Sequence, residues 1–279
     1  GWTDDHQRQL DARAQQAGQE AEQLWAGYEN GNSIGPVMLL VYRPGRTAMA
    51  FTSPVRKQGQ IESAAELSRR VLAEVDPARA SLVQVLLDPA DAFERQALLA
   101  GGFSDLATLA YMQRTATDEA QPPPPLGMSF QPYRPEWRQA FVQALHDSYE
   151  QTMDCPMLRG MRRTEDVLEG HMAAGQFDPD LWTLVMSGEE PVGVMLLARL
   201  AEHQCVELVY LGLSVSARRR RLGSTLLRRG LAQTCEAGER TMALAVDQAN
   251  MAAVQLYEKH GFYRVAKRRA LVAAASGGV

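Results

Sequence analysis

The stretch Ser214-Val-Ser-Ala-Arg-Arg-Arg-Arg-Leu-Gly-Ser-Thr-Leu-Leu227 decides the fold of this chain. It follows an apolar run with period-two character, Val206–Val215, which predicts a strand. It opens a helical pattern from Leu222 to Ala237. A turn rich in Arg and Gly between a strand and a helix presents free backbone N–H groups at the positive end of the helix dipole. The stretch therefore predicts an anion site, and a pyrophosphate suits it.

A second segment, Asn250-Met-Ala-Ala-Val-Gln-Leu-Tyr-Glu-Lys-His-Gly-Phe262, follows at a short distance. The first segment resembles the pyrophosphate loop of the GCN5-related N-acetyltransferase (GNAT) superfamily, written [RQ]-x-x-G-x-[GA]. The second resembles the N-x-x-A-x-x-x-Y-x-x-x-G-F helix and turn of that superfamily. Arg218 and Gly223 hold their motif places, whereas Arg221 stands where the family has its first glycine. The resemblance implies an α/β fold with a mixed sheet and acetyl-CoA as the cosubstrate.

Four consecutive prolines, Pro122–Pro125, mark the clearest boundary, because proline interrupts both helices and central strands. They predict a short polyproline linker at 118–125. The chain then divides into residues 1–117 and 126–279. A length of 279 residues agrees with two domains.

The two halves resemble each other, with Leu87–Phe103 matching Val246–Phe262 at a constant offset. A repeat this long predicts a duplicated domain rather than a solenoid. The first copy has Leu98 in place of Tyr257 and Asp91 in place of Asn250, and it lacks the Arg-rich loop. We therefore expect two tandem GNAT-like domains, a degenerate one at 1–117 and a catalytic one at 126–279. The layout is similar to that of mycothiol synthase.

Acetyl transfer from a thioester to an amine requires removal of a proton from the amine and stabilisation of the leaving thiolate. Glu207 lies in an apolar strand, where burial would raise its pKa toward the working pH of a general base. The resemblance implies that role for Glu207 and the role of general acid for Tyr257. A solvent-facing or ion-paired Glu207 and a core-packed Tyr257 are the structural alternatives.

The resemblance also places the backbone end of the central strand, the loop and the next helix against the cofactor. The expected cofactor-binding residues are Leu213, Ser214, Val215, Arg218, Arg219, Arg220, Arg221, Leu222, Gly223, Ser224, Asn250 and Tyr257. Asn250 also suits a helix N-cap. The family binds its acceptor over its first two helices and the loop that joins them, which points to Tyr149 and Asp154 as substrate-binding residues.

Composition excludes several other classes of protein. The net charge of −4 gives no support to a nucleic-acid or membrane partner, and no apolar run approaches the ~20 residues of a membrane span. Cys155, Cys205 and Cys235 show neither metal spacing nor a disulfide pattern, which agrees with a reducing cytoplasm. The histidines show no ligand spacing, so no metal is expected. The sequence does not indicate the oligomeric state.

These observations predict a cytoplasmic N-acetyltransferase that moves acetyl from acetyl-CoA directly to a primary amine. A small-molecule amine is the favoured acceptor, and a protein N-terminus or lysine is the second. A catalytically silent acyl-CoA sensor is an alternative, because Arg221 replaces a glycine. A DNA-binding module is a third class, motivated by the run Arg218–Arg221.

Overall fold

The computed structural model describes residues 23–29, 33–117, 120–200 and 204–275. The chain forms two compact units. Among the described residues, the first unit comprises 23–29, 33–108, 160–162 and 268–275, and the second comprises 109–117, 120–159, 163–200 and 204–267. The linker predicted at 118–125 separates a first copy of the repeat, residues 1–117, from a second copy, residues 126–279. The bounds of these copies differ from those of the compact units, and the division at the linker stays a prediction.

The first copy contributes five strands and two helices to the described structure. They are β1 (Gln23–Glu29), β2 (Ser33–Arg43), β3 (Thr47–Thr52), α1 (Ile61–Ala73), β4 (Leu82–Leu87), α2 (Ala92–Ala100) and β5 (Ser104–Thr115). The composition and apolar spacing of residues 4–28 predict a helix. This prediction is wrong where it can be checked, because 23–29 form a strand that pairs with β2. The rest of that prediction lies outside the described residues.

The second copy contains six strands and four helices within its described part. They are β6 (Met128–Gln131), α3 (Arg138–Ser148), α4 (Thr164–Met172), β7 (Thr183–Ser187), β8 (Glu190–Leu200), β9 (Cys205–Leu213), α5 (Leu222–Glu236), β10 (Thr241–Asp247), α6 (Met251–Lys259) and β11 (Tyr263–Ala274). Parallel and antiparallel pairs both occur, so the sheet is mixed as predicted.

The duplication is visible in the bounds of the elements. Helix α2 begins at Ala92 and α6 at Met251, while β5 begins at Ser104 and β11 at Tyr263, so both pairs of elements have the same separation along the chain. The elements from β1 to β5 follow the same order as those from β7 to β11. A mixed α/β architecture built from two related copies is therefore confirmed.

In each compact unit, one strand comes from the opposite copy of the repeat and pairs with a strand of the unit's main copy. In the first unit, β11 pairs with β4 and places Arg269 opposite Leu87. In the second unit, β5 pairs with β10 and places Ala110 opposite Val246. Because Ala110 and Val246 are the repeat equivalents of Arg269 and Leu87, the two registers correspond and the exchange of last strands is reciprocal.

The exchanged strands contribute to the hydrophobic cores. Leu271 is fully buried in the core of the first unit, and Met112 is 1% exposed in the core of the second. Burial of a side chain of this size stabilises the folded state by about 1.5–3 kcal/mol relative to exposure. The exchange is therefore a stabilising part of each unit.

Strand β9 is irregular at Val209, and this irregularity shapes the second unit. Leu197 of β8 lies opposite Leu208, but Leu196 lies opposite Tyr210, so Val209 is the extra residue of a bulge. Parallel pairing with β10 runs only as far as Leu208 and Leu244. Beyond that pair the two strands separate and leave an opening between them.

Candidate active site

The opening between β9 and β10 leads into a cleft of about 210 Å³ within the second unit. Its walls come from the end of β9, the end of β10, the first two turns of α6 and the loop after α3 (149–155). The lining residues are Ser148, Gln151, Thr152, Met153, Asp154, Leu208, Val209, Tyr210, Leu211, Gly212, Leu213, Arg218, Ala245, Val246, Asn250, Ala252, Ala253 and Tyr257. The sequence analysis named five of these residues, which are Asp154, Leu213, Arg218, Asn250 and Tyr257.

The Arg-rich loop forms an anion seat before α5. Across 219–224 no backbone N–H group donates a hydrogen bond to another described residue, and the first such bond comes from Thr225 to Arg221. Arg219 and Arg221 both adopt the left-handed conformation, with φ of 61° and 62°. Arg221 therefore takes the backbone conformation that favours a glycine, and its side chain is exposed.

The remaining predicted residues of the loop lie at this seat rather than in the cleft lining. The exposed side chains of Arg219 and Arg220 leave their charges available to an anion. The Ser224 hydroxyl lies 2.7 Å from Nε2 of His260. Gly223 permits close packing, because a Cβ there would lie 3.2 Å from Cδ2 of Leu256.

Arg218 has a different role from its neighbours, because its guanidinium bonds to backbone carbonyls. Nε donates to Leu213 at 3.1 Å, Nη1 donates to Gln151 at 3.2 Å, and Nη2 donates to Ser148 at 2.9 Å and to Glu150 at 2.6 Å. The side chain therefore links the end of β9 to the loop after α3. The sequence analysis did not anticipate this link, because backbone carbonyls leave no sequence signature.

Tyr257 presents the only hydroxyl from α6 to the cleft. Its side chain is 7% exposed, and no described residue forms a hydrogen bond with the hydroxyl. Burial raises the pKa of Tyr257 well above its ordinary value, and the nearby charge of Asp154 adds to the rise. The phenol therefore stays protonated at neutral pH and can donate a hydrogen bond or a proton into the cleft.

Asn250 caps α6, as predicted, since its Oδ1 accepts a hydrogen bond of 3.2 Å from the N–H of Ala253. Its side chain also lies near the carboxylate of Asp154 and acts to lower the pKa of that carboxyl. The cap thus connects the start of α6 to the loop after α3.

Asp154 lines the cleft and is linked to the buried Asp247, which lies outside the cleft lining. The backbone N–H of Asp247 donates to Oδ1 of Asp154 at 3.1 Å, and the N–H of Cys155 donates to Oδ2 of Asp247 at 3.4 Å. Burial raises the pKa of the Asp154 carboxyl, and the charge of Asp247 acts in the same direction. Asp247 was not among the residues predicted for the site, although its position at the end of the strand that precedes α6 was available as a signal.

Tyr149, which follows α3, packs against Tyr210 of β9 beside the cleft. The rings of Tyr149 and Tyr210 pack edge to face with their centroids 5.7 Å apart, and only Tyr210 lines the cleft itself. The hydroxyl of Tyr210 lies 2.7 Å from Oγ of Ser148. Gly212 makes this packing possible, because a Cβ there would lie 2.6 Å from the same oxygen.

Three other predicted residues lie beside the cleft rather than in it. Glu207 precedes the bulge and is partly buried, and its charge acts on the thiol of Cys205 at the start of β9. Ser214 and Val215 follow the end of β9, and Val215 is 40% exposed. Tyr257 and Asp154 therefore share the lining of the cleft, and the role of Glu207 stays a prediction.

The equivalent region of the first unit is almost closed. Its cavity of about 10 Å³ has room for roughly one water molecule. Glu94, which is 5% exposed, occupies the place of Ala253 and accepts a hydrogen bond from the hydroxyl of Thr52. Leu98 occupies the place of Tyr257, so this cavity offers neither the space nor the hydroxyl of the second unit.

No cluster of three or more potential metal ligands occurs among the described residues. None of the helices in the described ranges has the length and apolar character that a membrane span requires.

Comparisons with known proteins agree with this architecture. Residues 137–262 match the family model described as "Acetyltransferase (GNAT) family". A search of curated proteins found no match. Among solved structures, the chain is similar to a GCN5-related N-acetyltransferase from Sphaerobacter thermophilus, at 16% identity and a TM-score of 0.63, with 97% of this chain and 86% of that chain covered.

Two further structures have the same fold. One is a GCN5-related N-acetyltransferase from Kribbella flavida, at 18% identity and a TM-score of 0.57, with coverage of 98% of this chain and 96% of that chain. The other is a tandem GNAT protein from the clavulanic acid biosynthesis pathway, at 14% identity and a TM-score of 0.52, with coverage of 90% and 82%. Residues 137–262 thus form a domain of the acetyltransferase (GNAT) family.

Proposed function

We propose that this protein is an N-acetyltransferase that moves acetyl from acetyl-CoA to a primary amine by direct attack, with a small molecule as the favoured acceptor. The observation that supports it most is the arrangement of one cleft. An anion seat lies before α5, an unpaired strand edge leads inward from it, and the Tyr257 hydroxyl lies at the inner end.

The proposed cofactor position follows from these groups. The pyrophosphate would accept hydrogen bonds from the backbone N–H groups of 219–224, and Arg219–Arg221 would add positive charge. The pantetheine arm would lie along Val209–Leu213, where β9 has no pairing with β10. Arg218 would hold this wall in place rather than bind phosphate.

The proposed chemistry needs a proton donor at the leaving sulfur. Tyr257 is buried, protonated and without a hydrogen-bond partner among the described residues, so its hydroxyl can donate to the departing thiolate. Glu207 stays a predicted base that lies outside the cleft lining, and the proposed function does not depend on it.

The proposed location of the chemistry is the second unit alone. Glu94 and Leu98 fill the corresponding space of the first unit. One acetyl-CoA per chain is therefore the proposed stoichiometry.

Calorimetric titration with acetyl-CoA tests the cofactor position. We expect the triple variant Arg219→Gln, Arg220→Gln, Arg221→Gln to weaken binding by roughly 100-fold, because about 1 kcal/mol is lost with each of the three charges at a phosphate. Arg228→Gln is the control, because Arg228 lies on an exposed face of α5 outside the anion seat. Equal affinity for the wild type and the triple variant would contradict the seat.

Thiol release in the presence of a panel of aliphatic primary amines, with the products identified by mass spectrometry, tests the reaction. We expect acetylated amine and a loss of turnover in Tyr257→Phe with acetyl-CoA affinity retained. Acetyl-CoA binding without any acetylated product would favour the silent sensor instead.

A further inference from the structure

The inner end of the cleft contains a hydroxyl that has no partner. Tyr257 is 7% exposed, lines the cleft, and receives or donates no hydrogen bond within the described ranges. A phenol hydroxyl can both donate and accept a hydrogen bond. Because Tyr257 lines the cleft, its hydroxyl is available to a molecule bound there.

A carboxylate is held beside that hydroxyl by groups from two other elements. The N–H of Asp247, at the end of β10, donates to Oδ1 of Asp154, and the side chain of Asn250, the N-cap of α6, lies near this carboxylate. An ionised carboxylate has about four lone-pair sites, so these contacts leave capacity for another donor. Asp154 lines the cleft, which gives that donor an approach.

The charges around Asp154 favour a cation. The groups that face it are the carboxylate of Asp247 from β10, the phenols of Tyr257 from α6 and Tyr210 from β9, and the thiol of its neighbour Cys155. Arg218 is the one cation among the described lining residues. Because four backbone carbonyls engage its guanidinium, Arg218 leaves Asp154 without a cationic partner.

An apolar side chain flanks the carboxylate on the side of the solvent. Met153 precedes Asp154, lines the cleft and is 61% exposed. A flexible thioether adapts to varied apolar groups. The pair Met153–Asp154 thus offers an apolar contact next to a negative charge, which suits an alkylamine.

We propose that Asp154 binds the ammonium group of the acceptor and accepts its proton, so that the acceptors are aliphatic primary amines that are cationic in water. This inference rests on the proposed function. The ammonium gives one proton to Asp154, and the neutral nitrogen then forms a C–N bond to the acetyl carbon as the C–S bond breaks. The second proton of the nitrogen is lost to water, and Tyr257 protonates the departing sulfur.

The proton balance of the cycle is closed by Asp154. Its proton passes to the Tyr257 phenolate, either directly or through water, and both groups return to their starting states. The sum of the reaction is an alkylammonium and acetyl-CoA giving an N-alkylacetamide, the free thiol of CoA and one proton.

The experiment compares wild type, Asp154→Asn and Asp154→Glu with acetyl-CoA and hexylamine, 2-phenylethylamine and putrescine as cationic acceptors. Aniline is the neutral comparison. We expect Asp154→Asn to lower kcat/KM for the cationic amines by roughly 100-fold, with acetyl-CoA affinity unchanged within about threefold. We expect the acid limb of the pH profile, which reports ionisation of Asp154, to disappear in this variant and to shift in Asp154→Glu.

Asp147→Asn is the matched control, because it makes the same chemical change on α3 where the carboxylate accepts from Gln143 outside the cleft. Wild-type kinetics in Asp154→Asn, or an equal loss in both Asn variants, would overturn the assignment while the proposed function stands. Equal use of aniline and the cationic amines by the wild type would overturn it even if Asp154→Asn does not fold. Failure of the wild type to acetylate any of the amines would instead overturn the proposed function.

Discussion

Nη2 of Arg218 donates a hydrogen bond of 2.9 Å to the carbonyl of Ser148, the last residue of α3. The same guanidinium bonds to the carbonyl of Leu213 at the end of β9. One side chain thus joins the strand that would carry the cofactor to the loop that contains Asp154. The first residue of the Arg-rich motif therefore sets the distance between two walls of the cleft.

Arg218→Lys separates this structural role from phosphate binding. Lysine keeps the positive charge, but its single ammonium cannot reach four carbonyls in the geometry of a planar guanidinium. We expect the free energy of unfolding in urea to fall by about 1–2 kcal/mol and kcat/KM for the amine to fall by roughly tenfold. If Arg218→Lys kept the stability of the wild type but lost much of its affinity for acetyl-CoA, Arg218 would instead be assigned to phosphate binding.

Arg221→Gly tests the cost of a side chain in the left-handed conformation. A residue with a Cβ at φ of 62° loses about 1 kcal/mol that glycine does not lose. We expect Arg221→Gly to raise the free energy of unfolding by about 0.5–1 kcal/mol. Arg220→Gly is the control and should lower it, because Arg220 does not have a positive φ. Destabilisation by both variants would show that the Arg221 side chain contributes more than its backbone strain costs.

Gly212→Ala tests the close packing of α3 against β9. The added methyl would lie 2.5 Å from Cε1 of Tyr210 and 2.6 Å from Oγ of Ser148. We expect a loss of about 1–3 kcal/mol of stability, measured by thermal and urea unfolding. Gly59→Ala is the control, because no atom lies within 4 Å of the added methyl. Equal stability of both variants would show that α3 can move away at no cost.

The closed cavity of the first unit predicts the stoichiometry of binding. Glu94 and Thr52 form a buried hydrogen bond where the second unit has open space. We expect calorimetry to give one acetyl-CoA per chain, and Glu94→Gln to leave that value unchanged. A second equivalent of acetyl-CoA that survives the triple substitution of Arg219–Arg221 would contradict the closed cavity.

Cys155 should be a poor nucleophile in spite of its place beside the cleft. Burial raises the pKa of its thiol to about 12, and the charges of Asp154 and Asp247 add to the rise. The thiol therefore stays protonated at pH 7–9, where only the thiolate would react. We expect iodoacetamide to alkylate Cys155 slowly, as measured by peptide mass spectrometry. We also expect Cys155→Ser to turn over at the rate of the wild type. Rapid alkylation of Cys155 would contradict the prediction. So would an acyl-enzyme intermediate that forms in the wild type and is absent in Cys155→Ser.

The sequence predicted the elements around the cofactor segment closely. The strand predicted at Val206–Val215 is β9 at Cys205–Leu213, and the helix predicted at Leu222–Ala237 is α5 at Leu222–Glu236. Both elements have strong apolar periodicity, and the turn between them has a distinctive composition. Local patterns of this kind suffice to locate the motif on the fold.

Three features were outside the reach of such patterns. The carbonyl partners of Arg218 are main-chain atoms, which any residue supplies. The bulge at Val209 interrupts the regular alternation of β9, so the strand pattern alone did not show which of its residues line the cleft. The helix pattern at the N-terminus did not anticipate β1, because a partner strand decides that segment.

The exchange of last strands gives the first copy a structural role in the second unit. Residues 109–115 supply the strand that covers the edge of β10, and residues 268–274 do the same for β4. A chain shortened to its second copy would leave the edge of β10 bare, a form prone to aggregation. The unit that contains the cleft therefore depends on the last strand of the first copy, whatever the side chains around the first copy's own cavity become.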